Sequence, residues 1–132
     1  MSIGPHDPTT TYLHLGTGPE VEAIAVTDDF WATIDERPGL HTGRLITGMT
    51  NDADLTVWEM HPAGDEVIVV TSGAVRFHLD DGSGDPSEAT QLTVEAPHYI
   101  VVKAGTWHTA DTLGPAHLLI VTWGEGTEHR PR

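Results

Sequence analysis

The rhythm of apolar and polar positions changes near residue 43. Before it, a Gly, two Pro and a Thr run within the first dozen residues predict a loose arm or an added edge strand. Val21 to Val26 is a short apolar run, and the Thr27-Asp28-Asp29 that follows has the chemistry of a helix N-cap. Phe30, Trp31 and Ile34 then recur at helical spacing, which predicts a helix of at most roughly two or three turns, ended by Arg37-Pro38-Gly39. From Gly43 onward, runs of Val, Ile, Leu, Thr and aromatics alternate with Gly, Pro, Asp and Ser clusters. Strands are expected near Gly43–Thr47, Leu55–His61, Val67–Thr71, Ala74–Leu79, Thr90–Val94, Tyr99–Val102, Trp107–Asp111 and His117–Trp123. Ser72-Gly73 reads as a tight hairpin turn, and Asp80–Pro86 as a polar surface loop. Many short strands with little helix predict an all-β sandwich or barrel of jelly-roll type, without internal repeats.

Composition narrows the function classes. A chain of 132 residues is about one domain, since domains cluster near ~100–150 residues. Six Lys and Arg against 20 Asp and Glu give a formal net charge of −14, a surface that repels phosphate backbones and anionic lipid. Neither nucleic acid nor membrane is therefore the expected partner. With no basic, apolar leader at Met1–Asp7 and no ~20-residue apolar span, a cytoplasmic location is expected. Cys is absent, which removes disulfides, thiolate metal sites and cysteine nucleophiles together. Nine His remain, so any metal is held by nitrogen and oxygen.

Strand parity finds the chemistry. In Leu55–His61, successive side chains point to opposite faces, placing Leu55, Val57, Glu59 and His61 together and Trp58 and Met60 opposite. A core-facing carboxylate costs several kcal/mol to bury alone, so Glu59 needs a cation or hydrogen-bond donors. After the turn at Pro62-Ala63-Gly64-Asp65, Glu66 is expected to return beside His61 on the neighbouring strand. His108 follows a second Gly turn at Gly105 and opens another strand.

These residues resemble the two motifs of the cupin superfamily. Glu59-Met60-His61 stands at the place of the first motif's His-any-His; Glu66 follows after four residues and Gly73 after six more. Gly105-Thr106-Trp107-His108 matches the middle of the second motif. Ala53 replaces the opening Gly of the first motif, and Glu59 its first His. Pro97, Lys103 and Thr112 stand at the second motif's Gly, Pro and Asn. The resemblance implies an all-β, cupin-type antiparallel jelly-roll barrel over 42–124. An N-terminal arm with a short helix (1–41) and a C-terminal tail (125–132) complete the expected organisation.

The resemblance also implies one divalent metal, Fe, Mn, Zn or Ni, held by Glu59, His61, Glu66 and His108, with Glu59 or Glu66 able to serve as general base. Val57, Ile68, Phe77 and Ile100 are expected to line a pocket for a small organic molecule. Val70, Val75 and Val102 join them on the interior face. Dioxygenase or isomerase/cyclase chemistry follows by resemblance; the alternative is a metal-free ligand-binding or structural cupin without turnover. Trp58 and Met60 are expected either to pack under the arm or to form the core of a homodimer interface. The remaining His read as structural: His78 facing outward, His98 in a turn, His117 at a strand head near the pocket mouth, and His6, His14, His41 and His129 in arm, turn or tail.

Overall fold

The computed structural model describes residues 3–80, 82 and 86–132. Asp81, Ser83, Gly84 and Asp85 of the expected polar loop, and Met1-Ser2, lie outside the described residues. The described strands are β1 (Thr11–Leu15), β2 (Val21–Ala25), β3 (Arg44–Asn51), β4 (Val57–Met60), β5 (Glu66–Ser72) and β6 (Ala74–Asp80). They continue with β7 (Thr90–Glu95), β8 (Tyr99–Val102), β9 (Trp107–Thr112), β10 (Ala116–Thr122) and β11 (Glu128–Pro131). They form two antiparallel sheets, a six-stranded one ordered β2-β1-β3-β10-β5-β8 and a five-stranded one ordered β11-β4-β9-β6-β7. This is the antiparallel jelly roll that the strand pattern predicts. Among the described residues, no helix is long and apolar enough to cross a membrane.

The inward-facing positions make the core. Ile68 and Val70 on β5 meet Val75 and Phe77 on β6 across the gap, with Val94, Val102, Ala110, Ala116 and Leu118 around them. Each fully buried Val, Leu, Ile or Phe contributes roughly 1.5–3 kcal/mol. Such a core supplies the stability that lets one end of the sandwich carry buried polar groups. Ile100 packs against this cluster, whereas Val57 is only half-buried and outside it.

Several local expectations are corrected. After Thr27 the chain makes turns and two 3-10 segments, Ile34–Glu36 and Pro38–Leu40, in place of an α-helix. A segment this short gains too few hydrogen bonds to offset nucleation, and aromatic packing sets its path instead. Phe30 is fully buried, edge-on to Tyr12 with ring centroids 5.1 Å apart. Asp28-Asp29 thus cap no α-helix.

Ser72-Gly73 does not join paired strands. β5 and β6 lie in different sheets, and Gly73 is the corner between them. Its φ is +74°, and an added Cβ would stand 2.6 Å from the Pro115 carbonyl, so only glycine fits. For the same reason Glu66 meets His61 across the two sheets and not from a neighbouring strand. The C-terminal segment, expected as a tail, forms β11 on the edge of the five-stranded sheet beside β4. Finally, Trp58 is buried within a single chain, with the Arg130 guanidinium of β11 5.6 Å above its ring. The C-terminal strand supplies this contact.

Candidate metal centre

Four strand ends converge at one end of the sandwich. β4 delivers Glu59 and, just past its end, His61; β9 delivers His108, directly opposite Glu59 in the ladder. From the other sheet, β5 opens with Glu66 and β10 ends with Thr122. The two turns that carry the motifs are pinned together. The Asp65 carboxylate accepts from the Lys103 ammonium (2.5 Å) and the Ala104 amide (2.9 Å), and the Gly105 amide donates to the His61 carbonyl (2.9 Å). Gly105 sits at φ +82°, in the left-handed region that this turn requires.

Glu59, His61, Glu66 and His108 each offer one ligand atom, and these atoms all lie within 4.8 Å of one another. Nε2 of His61 stands 2.8 Å from Glu59 Oε1 and 3.0 Å from Glu66 Oε2; Nε2 of His108 stands 3.1 Å from Glu66 Oε1. His61, Glu66 and His108 are buried, and Glu59 lies at the rim with about a third of its side chain exposed (35%). The Thr122 hydroxyl donates to Glu66 Oε2 at 2.5 Å.

Hydrogen bonds on the far side of each imidazole define which nitrogen faces the cluster. A carbonyl can only accept, so His108 donates Nδ1–H to Thr106 O (3.1 Å). Thr127 spends its one proton on Gly124 O (2.8 Å), so its oxygen must accept Nδ1–H of His61 (2.8 Å). Both neutral imidazoles therefore turn a bare Nε2 toward the carboxylates, the orientation used for metal ligation. Nε2 of His61 is buried and no hydrogen bond of acceptable geometry reaches it, although two carboxylates stand within 3.0 Å. Lone pairs facing carboxylate oxygens repel unless a cation lies between them. Two imidazoles and two carboxylates match a divalent ion in both charge and donor type, so these residues fit a metal.

Without a metal, a proton takes the cation's role. Burial disfavours the charged form of His61, but Glu59 and Glu66 outweigh it and raise the pKa to about 9. Burial would likewise push Glu66 up, yet His108 and His61 bring it down to about 2. Glu59 is also lowered, burial opposing and His61 dominating. A raised imidazole stabilises the fold fully below its ordinary 6.5 and loses that contribution as pH climbs to about 9. Depressed Glu66 contributes above its ordinary 4.5 and fades as pH falls toward about 2. Thermal melts in chelator should therefore show highest stability between pH 4.5 and 6.5, declining toward pH 9. A flat profile from 6.5 to 9 would contradict this pairing.

The other sequence candidates separate from the centre. His78 on the outer face donates to Asp111 (2.7 Å), His14 to Thr42 O (2.7 Å), His98 to Glu95 O (2.8 Å) and His41 to Ile34 O (3.0 Å). His117 borders a cavity of about 300 Å³ with Pro8, Gly48 and Leu119, which none of the four cluster residues lines. Ile68 and Phe77 lie in the packed core. Thr122, Thr127 and His129 were missed. His129 on β11 donates Nε2–H to Glu59 Oε2 at 2.8 Å, and the only signal for it was a lone His in a polar segment.

No family model matches the sequence, and no curated protein is significantly similar to it. Solved structures do match. A cupin-2 domain containing protein from Shewanella frigidimarina, 18% identical, superposes with a TM-score of 0.50 over 89% of this chain and 83% of its own. A protein from Neisseria meningitidis, also 18% identical with a TM-score of 0.50, matches 60% of this chain and 72% of its own. Sheet order, the glycine corners at Gly73 and Gly105, and these superpositions agree: the chain has the cupin fold.

Proposed function

We propose that this is a divalent-metal protein whose centre is held by Glu59, His61, Glu66 and His108, and that it acts on a small organic molecule reaching the metal through oxygen atoms. The observation that carries this reading is the buried His61 Nε2, left without a hydrogen bond beside two carboxylates. Fe, Mn, Zn and Ni all suit two nitrogens and two oxygens. When bound, the metal supplies Lewis acidity or an O₂-activating centre, consistent with dioxygenase or isomerase/cyclase chemistry.

The chain's own groups divide the remaining work. Glu66, buried and anchored by Thr122, holds its position as a ligand. Glu59 at the rim is the carboxylate able to leave and accept a substrate proton at Oε1.

Elemental analysis tests the reading. Protein purified without added metal, or soaked with Fe(II), Mn(II), Ni(II) or Zn(II), should carry close to one ion per chain. A stoichiometry near zero under every condition overturns it in favour of a metal-free binding or structural cupin.

A further inference from the structure

We propose that the C-terminal strand completes the metal centre: Thr127 fixes which nitrogen of His61 faces the metal, and His129 fixes which oxygen of Glu59 does. This rests on the metal-binding reading above. Both are positioning residues, acting through ligands that other strands supply.

Thr127 lies just before β11. Its hydroxyl proton is committed to Gly124 O, so its lone pair can only accept, and the group it accepts from is His61 Nδ1–H, 2.8 Å away. The opposite tautomer would put two lone pairs face to face at Thr127 and a proton at Nε2, where the ligand lone pair is needed. His129 stands directly opposite Glu59 in the β11–β4 ladder. Its Nε2–H occupies Glu59 Oε2, while Oε1 stands 2.8 Å from His61 Nε2. A carboxylate held in this way presents one oxygen to the centre; released, it is free to rotate and offer either or both.

Register is what makes these contacts possible, and β11 is clamped from its opposite face. Arg130 lies 4.4 Å over the Trp107 ring and 5.6 Å over Trp58, and its guanidinium bonds the buried Asp80 carboxylate at 2.9 Å. Arg132 reaches Leu55 O (3.0 Å) and Asp111 Oδ1 (2.6 Å). Arg130 pairs with Trp58 in the ladder, one residue from the His129–Glu59 pair. Arg130 on one face of β11 therefore sets the position from which His129 on the other face works. A one-residue slip would exchange the two faces and remove both contacts from the centre.

The test is a titration of the full chain with Co(II) alone, following its visible absorption spectrum. Loss of groups that orient metal ligands typically weakens binding ~10–100-fold. That loss, with an altered Co(II) spectrum, is expected for Thr127→Val and His129→Ala. Thr127→Ser keeps the hydroxyl and His129→Gln keeps a terminal N–H donor, so both should restore affinity and spectrum. Metal-free melting temperatures of His129→Ala, His129→Gln and Thr127→Ser should stay near wild type, whereas Thr127→Val, which strips the buried His61 Nδ1–H of its acceptor, should melt lower than Thr127→Ser. Wild-type affinity and spectrum in Thr127→Val and His129→Ala would overturn this inference alone. Weakened binding that the Ser and Gln variants fail to rescue, accompanied by lower metal-free melting temperatures, would overturn it in favour of strand docking. A wild-type protein that takes up no metal would overturn the proposed function and this inference with it.

Discussion

His61→Ala and His108→Ala should each lose stoichiometric metal. Either change removes a nitrogen whose far side is already tied to a hydrogen-bond acceptor, Thr127 or Thr106, so nothing nearby can replace it. The loss should exceed the ~10–100-fold that accompanies removal of outer contacts, and elemental analysis of purified protein reads it directly. The two variants should differ in metal-free stability. His61 lies between Glu59 and Glu66, and its removal leaves two carboxylates facing each other without a cation. Breaking a buried pair of this kind costs about 3–5 kcal/mol. Of the two carboxylates, His108 pairs with Glu66, whereas His61 pairs with both, so the His108 alanine variant should melt at a higher temperature than the His61 variant. Full metal occupancy in either variant would place the centre elsewhere.

Glu66→Gln should be the most damaging isosteric change. Both of its oxygens are committed, Oε1 to His108, and Oε2 to His61 and Thr122. Glutamine keeps the shape but removes the charge, and its NH2 group, which cannot ligate a metal, replaces one of the two oxygens. Glu59→Gln should be milder, because its partly exposed carboxylate is screened by solvent. Parallel metal titrations of the two variants check the order. A larger loss in Glu59→Gln would make the rim carboxylate, not the buried one, the hub of the centre.

Much of this centre was legible from residue order. Alternation in Leu55–His61 placed Glu59 and His61 on one face, and the resemblance to the two cupin motifs, at Glu66 and at Gly105 to His108, implied the rest of the four. What stayed hidden depends on contacts without a local period. Glu128-His129-Arg130-Pro131 is short, polar and contains a Pro, so nothing in it alternates apolar and polar. Its strand character comes from β4, 70 residues away, and from Arg130 settling over two Trp rings. Phe30, Trp31 and Ile34 misled in the opposite direction. Their helical spacing is real, but burial against Tyr12 decides where they lie. Ser72-Gly73 has hairpin chemistry, and only the packing of two sheets shows that the chain turns a corner there.

The Glu59–His129 contact also bears on the order in which the protein forms. Its 70-residue separation spans more than half of the 132-residue chain, and contacts so distant close late because the intervening segment loses its freedom first. During synthesis from the N-terminus, the four clustered residues through His108 emerge before the strand that contacts them. The hydrogen bonds from Thr127 and His129 can therefore form only once β11 has docked, and a nascent chain stopped short of β11 holds the four clustered side chains without them.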